Sequence, residues 1–156
     1  MLSGSNPLLL YDGVCGLCNR FVQFTLRWDR NAAFRFAALQ GPLASEILRR
    51  HPFDPVQNDT VVVVLDGNTP NERLLFRSDA ALYVLRQCAA PWSALARLGG
   101  VVPRPVRNVV YRCIARHRYG IFGRYDSCPL PDPEVRQRFI DLKSGTPPQS
   151  TSAERD

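Results

Sequence analysis

The run Thr60-Val61-Val62-Val63-Val64-Leu65 constrains this chain more than any other stretch. Each of its residues is β-branched or apolar, and no polar residue alternates with the valines. Such a run predicts a central strand covered on both faces. The chain must therefore supply helices to pack on a sheet.

The remaining elements can be placed around that strand. Leu8-Leu9-Leu10-Tyr11 reads as a short buried strand ended by the turn pair Asp12-Gly13. A helix follows from about Cys15 to Asp29, with Leu17, Phe21, Phe24 and Trp28 on one stripe. Phe34 to Ala37 forms a second strand. Pro42 opens a helix carrying Leu43, Ile47 and Leu48 that ends before Pro52, and Asp54 to Asn58 is a loop. After the Thr60–Leu65 strand, Asp66 to Asn71 turns the chain and Arg73 to Arg77 returns as a strand. Ser78 suits an N-cap, Asp79 suits the helix dipole, and the helix buries Ala81, Leu82, Leu85 and Cys88. The order is β-α-β-α-β-β-α, an α/β unit with a four-stranded mixed sheet. Its first two strands are parallel through a βαβ crossover, and its last two form an antiparallel hairpin.

Beyond Ala90 the composition changes. Between Pro91 and Cys128 seven arginines face a single acidic residue, Asp126, so this segment carries the whole net charge of +6. A short helix around Trp92, Leu95 and Leu98 is expected to stop at Gly99-Gly100. A second starts near Pro105 and sets Val106, Val109, Val110, Cys113 and Ile114 on an apolar face. Arg107, Arg112, Arg116 and Arg118 fall mostly elsewhere, on a solvated, salt-bridged side. So many regularly spaced apolar residues predict that this extension packs into the core of the same domain. One domain is expected over residues 7–142, with the helical extension at 91–142 and a disordered tail over 143–156.

Several classes are excluded or disfavoured. The longest apolar runs fall far short of the ~20 residues of a membrane-spanning helix. Met1 to Asn6 lacks the basic start and apolar stretch of a secretory signal, so a cytoplasmic location is expected. Five cysteines in a reducing compartment are core residues, catalytic thiols or metal ligands before they are a disulfide framework. No nucleic-acid motif or aromatic platform accompanies the arginines, so nucleic acid is not an expected partner.

The chemistry sits at Cys15-Gly16-Leu17-Cys18. Two cysteines three apart at the start of a helix that follows a strand are set up for dithiol–disulfide exchange. The helix N-terminus favours a thiolate at Cys15, and Cys18, one turn in beside Phe21 and Val22, is expected to be the more buried thiol. Cys15 then attacks and Cys18 resolves. The expected partner is a protein or a low-molecular-weight thiol or disulfide, and no cofactor is called for. A few arginines bordering the thiols would attract an anionic thiol.

Tyr11-Asp12-Gly13-Val14-Cys15-Gly16-Leu17-Cys18-Asn19 resembles the signature of the DCC family of predicted thiol-disulfide oxidoreductases. The family's second landmark is similar to Tyr111-Arg112-Cys113-Ile114-Ala115-Arg116-His117-Arg118-Tyr119, followed by Cys128-Pro129-Leu130-Pro131. The resemblance implies a thioredoxin-like fold and dithiol chemistry at Cys15 and Cys18, with Asp12 as a third marker. Two positions depart from thioredoxin itself. Val14 replaces a tryptophan, and Gln57-Asn58-Asp59-Thr60 holds no proline where thioredoxins place a cis-proline, which leaves metal capture open.

Asp12 has two roles open to it. It can relay a proton for Cys18, or cap the turn by accepting backbone N–H groups, and the cap is the expected one. Cys113 and His117, one helical turn apart, would complete a zinc set with Cys15 and Cys18. That spacing is not a standard one, so a zinc-binding or docking module is the alternative reading and a core position for Cys113 the expected one. Cys88 is expected in the core, Cys128 in an exposed loop and His51 in solvent.

Overall fold

Strands β1 (Leu8–Tyr11) and β3 (Val62–Leu65) lie antiparallel at the centre of a four-stranded sheet. β2 (Arg35–Ala38) runs parallel to β1, and β4 (Arg73–Phe76) returns antiparallel beside β3. The order is β2-β1-β3-β4. Among the described residues the longer helices are α1 (Gly16–Trp28), α2 (Pro42–Arg49), α3 (Arg77–Gln87), α4 (Trp92–Val101) and α5 (Arg104–Phe122). A short α6 (Pro133–Arg136) follows. This computed structural model describes residues 6–52, 61–124 and 133–140. The Asp54–Asn58 loop, Thr60, Cys128 and the 143–156 tail lie outside them.

Alternation along the strands divides the core into two layers. Leu9, Tyr11, Phe36 and Val63 pack with Cys18 and Val22 of α1 and Ala80 and Val84 of α3. Leu8, Leu10, Val62 and Val64 pack on the other side with Ala44 and Ile47 of α2. The valine-rich strand is thus covered on both faces, and the architecture is thioredoxin-like, as the resemblance implies.

Several local expectations shift. On α1 the residues facing the sheet are Cys18, Val22 and Thr25. The stripe of Leu17, Phe21, Phe24 and Trp28 is half-buried beside them, because Trp92 of α4 packs edge-on against Phe24 at 4.8 Å. Ser78 does not cap α3. It lies inside the first turn, with Phe76 at the cap, and its hydroxyl donates to Asn108 Oδ1 at 2.7 Å. The helix buries Ala80, Val84 and Cys88, while Ala81, Leu82 and Leu85 are half-buried on the flank that meets α4. Gly99 and Gly100 do not end α4. A Cβ on Gly99 would stand 3.1 Å from Leu82 Cδ2, so the glycine serves close packing. His51 is half-buried rather than solvated, its Nε2 2.9 Å from Glu72 Oε1.

The largest correction concerns the extension. Leu95, Leu98, Val106, Val109, Val110 and Ile114 do not enter the core and are 48 to 68 % exposed. α4 packs through Trp92 and Ala96, and α5 turns its polar face inward. Arg107 pairs with Asp79 at 3.2 Å, Asn108 accepts from Ser78, and Tyr111 Oη accepts the Val61 N–H at 3.1 Å. The reason is complementarity: the groups α5 meets are polar and need partners.

Candidate active site

The chain leaves β1 at Tyr11, turns through Asp12-Gly13-Val14, and enters α1 with Cys15 at the N-cap in extended conformation (φ −82°, ψ 122°). The Cys15 sulfur accepts the Cys18 N–H at 3.4 Å, standing where a Ser or Asp oxygen usually caps a helix. There the first-turn N–H groups and the helix dipole favour a negative sulfur. The Cys15 thiol is lowered to about 6, first by the hydrogen bond from the Cys18 thiol and then, against burial, by the Cys18 N–H and the Arg118 charge. Cys18 moves the opposite way. Its hydrogen bond to Cys15, its burial and the neighbouring Cys15 charge all push its thiol far up. The two sulfurs thus share one proton near neutral pH.

Asp12 is buried under four donors. Val14 N–H and Gln40 Nε2 reach Oδ1 at 3.1 and 2.8 Å, and Tyr119 Oη–H and Arg118 Nη2 reach Oδ2 at 2.7 and 3.4 Å. The Val14 bond closes the turn, as a capping aspartate does. Burial pushes this carboxyl up, but the bonds from Tyr119, Gln40 and Val14, with the Arg118 charge, hold it below the usual range. Burial and the bond to Asp12 push Tyr119 up to about 12.

Arg118 is the residue that sequence reasoning misplaces. Only 3 % exposed, it reaches from α5 to within 3.9 Å of Cys18 Sγ, and it also bonds Tyr119 Oη at 2.9 Å. The signal for it was a helical spacing of residues other than the large aliphatic ones. Asn108, Tyr111, Ala115 and Arg118 are three, four and three apart, and so share the inward side of α5.

The end of α5 closes the site. Gly16 N–H donates to the Gly123 carbonyl at 3.1 Å, and Cys15 pairs with Arg124 in an isolated β-bridge. A Cβ on Gly16 would lie 2.2 Å from the Phe122 carbonyl oxygen, so only glycine permits this approach. Cys15 consequently has no exposed surface and Cys18 has 4 %, which overturns the expectation that Cys15 is the open thiol.

The other candidates separate. Cys113 is exposed rather than in the core, because the apolar face of α5 points outward, and its carbonyl accepts from His117 Nδ1 at 2.9 Å within the same helix. Among the described residues no three His, Cys, Asp or Glu side chains form a metal-holding group, so Cys15, Cys18, Cys113 and His117 do not assemble as a zinc set. Cys88 is buried as expected, its thiol pushed up to about 11 by burial and the Asp29 charge.

A dithiol capping the first helix of a thioredoxin-like sheet defines a class of proteins whose two sulfurs can meet. Residues 9–124 match the family model of the DCC1-like thiol-disulfide oxidoreductases, and the chain belongs to that family. It is 36 % identical over 135 residues to the uncharacterised protein YuxK of Bacillus subtilis (strain 168), covering 86 % of this chain and 94 % of that one. It is 38 % identical over 124 residues to the chloroplastic DCC family protein At1g52590 of Arabidopsis thaliana, covering 80 % of this chain and 69 % of that one. No solved structure matches it.

Proposed function

We propose that the chain is a thiol-disulfide oxidoreductase in which Cys15 attacks and Cys18 resolves. The observation that carries this reading is the unequal placing of the pair. Cys15 Sγ caps α1 and accepts the Cys18 N–H at 3.4 Å, while Cys18 Sγ lies one turn in, 3.9 Å from Arg118. This arrangement lowers the Cys15 thiol and raises that of Cys18. Cys15 thiolate attacks one sulfur of a substrate disulfide, and the other sulfur leaves with the electron pair. Cys15 is then neutral, so the hydrogen bond and charge that held the proton on Cys18 are gone. Cys18 releases its proton to solvent or to the leaving thiolate, with the Arg118 guanidinium beside the sulfur. It then attacks Cys15 Sγ, giving the Cys15–Cys18 disulfide and a second substrate thiol, a two-electron transfer that is reversible.

Asp12 acts in this scheme as a positioning residue. A carboxylate held below its usual range is a poor base, but together with Tyr119 it holds Arg118, whose guanidinium lies beside Cys18 Sγ. The end of α5 must swing aside to admit a disulfide to Cys15. A reducing cytoplasm suits the dithiol, and a protein or small thiol is its partner.

A glutathione redox titration with mass-spectrometric mapping of alkylated cysteines tests the reading. A Cys15–Cys18 disulfide should form in one two-electron step. Cys18→Ser should trap a substrate on Cys15, and Cys15→Ser should trap none. A mixed disulfide found first on Cys18 of the unaltered protein would reverse the roles, and absence of any Cys15–Cys18 disulfide would end the proposal.

A further inference from the structure

α5 shows one face to the thiols and the opposite one to solvent, and the outer face is aliphatic. Val106, Val109, Val110, Ile114 and Ile121 are 48 to 72 % exposed. At 100° per residue they fall within about 140° of the helix circumference, a stripe that also holds exposed Cys113 and His117. On α4, Leu95, Leu98 and Val101 are 50 to 83 % exposed, and the two helices are joined only by exposed Val102 and Pro103. This much aliphatic surface on a folded domain marks a contact site.

Its border is of one sign. Arg112 and Arg116 are exposed along one edge of the α5 stripe, and Arg97 borders the one on α4. No acidic residue occurs between Pro91 and Arg124. Arg104 and Arg107 find their carboxylate on α3, at Asp79, while among the described residues no carboxylate pairs with Arg97, Arg112 or Arg116.

We propose that the α4–α5 face docks on an anionic phospholipid surface, its aliphatic residues entering the headgroup–acyl boundary and its arginines meeting lipid phosphates. A bilayer supplies an apolar layer and a layer of negative charge together, in the same arrangement as the stripe and its border. A second copy of the chain would bring the same arginines to the contact with no carboxylate on the face to receive them. Nucleic acid offers the charge but nothing to cover valines and leucines, and the stripe has no Phe, Tyr or Trp side chain for bases to stack on. No helix among the described residues is long and apolar enough to cross a membrane, so the contact lies on the surface. The same helix then holds Arg118 and Tyr119 against Asp12 on its inner side, which puts the thiols roughly one helix diameter, about 10 Å, from the lipid.

Sedimentation of the full chain with vesicles of phosphatidylcholine alone, and of phosphatidylcholine with phosphatidylglycerol, tests this. Binding should be about tenfold stronger to the anionic vesicles and should weaken with salt. Val109→Asp/Val110→Asp should lower it by about tenfold or more, and Arg112→Gln/Arg116→Gln should flatten its salt dependence. Exchange with a small disulfide should be unchanged in both variants, so the result stands apart from the thiol reading. If the first variant fails to fold, Leu98→Asp on α4 serves instead. Anionic binding that survives the aspartates would be charge attraction alone and would overturn the proposal. A wild-type dimer that the aspartates dissolve, without vesicle binding, would assign the face to a second copy, and a monomer that ignores both vesicles would leave the face without this role.

Discussion

Asp12 and Arg118 are 106 residues apart in the chain, yet Oδ2 of one lies 3.4 Å from Nη2 of the other, with both residues buried. The pair ties the second landmark of the sequence to the turn before the thiols. It also gives Asp12 a partner that a turn cap does not have.

That partner changes the outcome expected for Asp12→Asn. Asn caps a turn nearly as well as Asp, so a capping role alone would leave stability almost unchanged. Removing the charge strands a buried guanidinium, which should cost about 3 kcal/mol in urea unfolding. Asp12→Asn/Arg118→Met should recover part of that loss. A change within a few tenths of a kcal/mol for Asp12→Asn would reduce Asp12 to its turn.

Arg118→Gln should act on chemistry. Its charge lowers both thiols, though for Cys15 the Cys18 hydrogen bond is the larger cause. The pH midpoint of Cys15 alkylation should therefore move only modestly upward from about 6. Resolution by Cys18 should slow more, by roughly tenfold, and the mixed disulfide should persist. Arg118→Lys should restore part of the rate by restoring the charge. Equal resolution rates in wild type and Arg118→Gln would separate Arg118 from the reaction.

Gly16→Ala should open the site. A methyl group 2.2 Å from the Phe122 carbonyl oxygen cannot be accommodated while α5 stays in place. The end of α5 should lift, Cys15 should react faster with a bulky alkylating reagent, and the melting temperature should fall. Unchanged labelling would show that Phe122 and Gly123 do not gate Cys15.

The dithiol should make stability depend on pH. Cys15 has a folded value near 6 against an ordinary 9.0, and Cys18 is raised above that ordinary value. Between pH 6 and pH 9 the folded protein has released one thiol proton that the unfolded chain retains. Stability then rises with pH, by at most about 1.4 kcal/mol per unit. Above pH 9 the unfolded chain loses both protons and the folded one keeps the proton on Cys18, so the slope reverses. Denaturant curves of the reduced protein should peak near pH 9 relative to Cys15→Ser/Cys18→Ser. Parallel curves for the two proteins would mean that the thiols do not differ as described.

A chain ending at Ala90 should not unfold cooperatively. It leaves Asp12 without Arg118 and Tyr119, Ser78 without Asn108 and the Val61 N–H without Tyr111. Calorimetry showing a single sharp transition in this truncation would mean that α5 is dispensable to the fold.

The order of elements was legible because each rests on local information. The valine run that forms Val62–Leu65 can be little but a central strand, and Asp66 to Asn71 is too short to permit anything but a hairpin after it. The place of Cys15 and Cys18 at the start of α1 was equally local, since it follows from one strand, one turn pair and one helical stripe. Those facts alone specify where a thiolate is favoured.

What only the tertiary structure decided is which side of α5 meets the domain. An apolar stripe at helical spacing normally turns inward, and Val106, Val109 and Val110 satisfy that pattern. They stay outside because the surface α5 covers is polar. Asp12, Ser78 and the Val61 N–H are side-chain and backbone groups whose burial without partners costs more than leaving a few valines in water. Hydrogen-bond demand from residues 30 to 106 positions away along the chain outweighed local amphipathicity, and in meeting it Arg118 came to lie over Cys18.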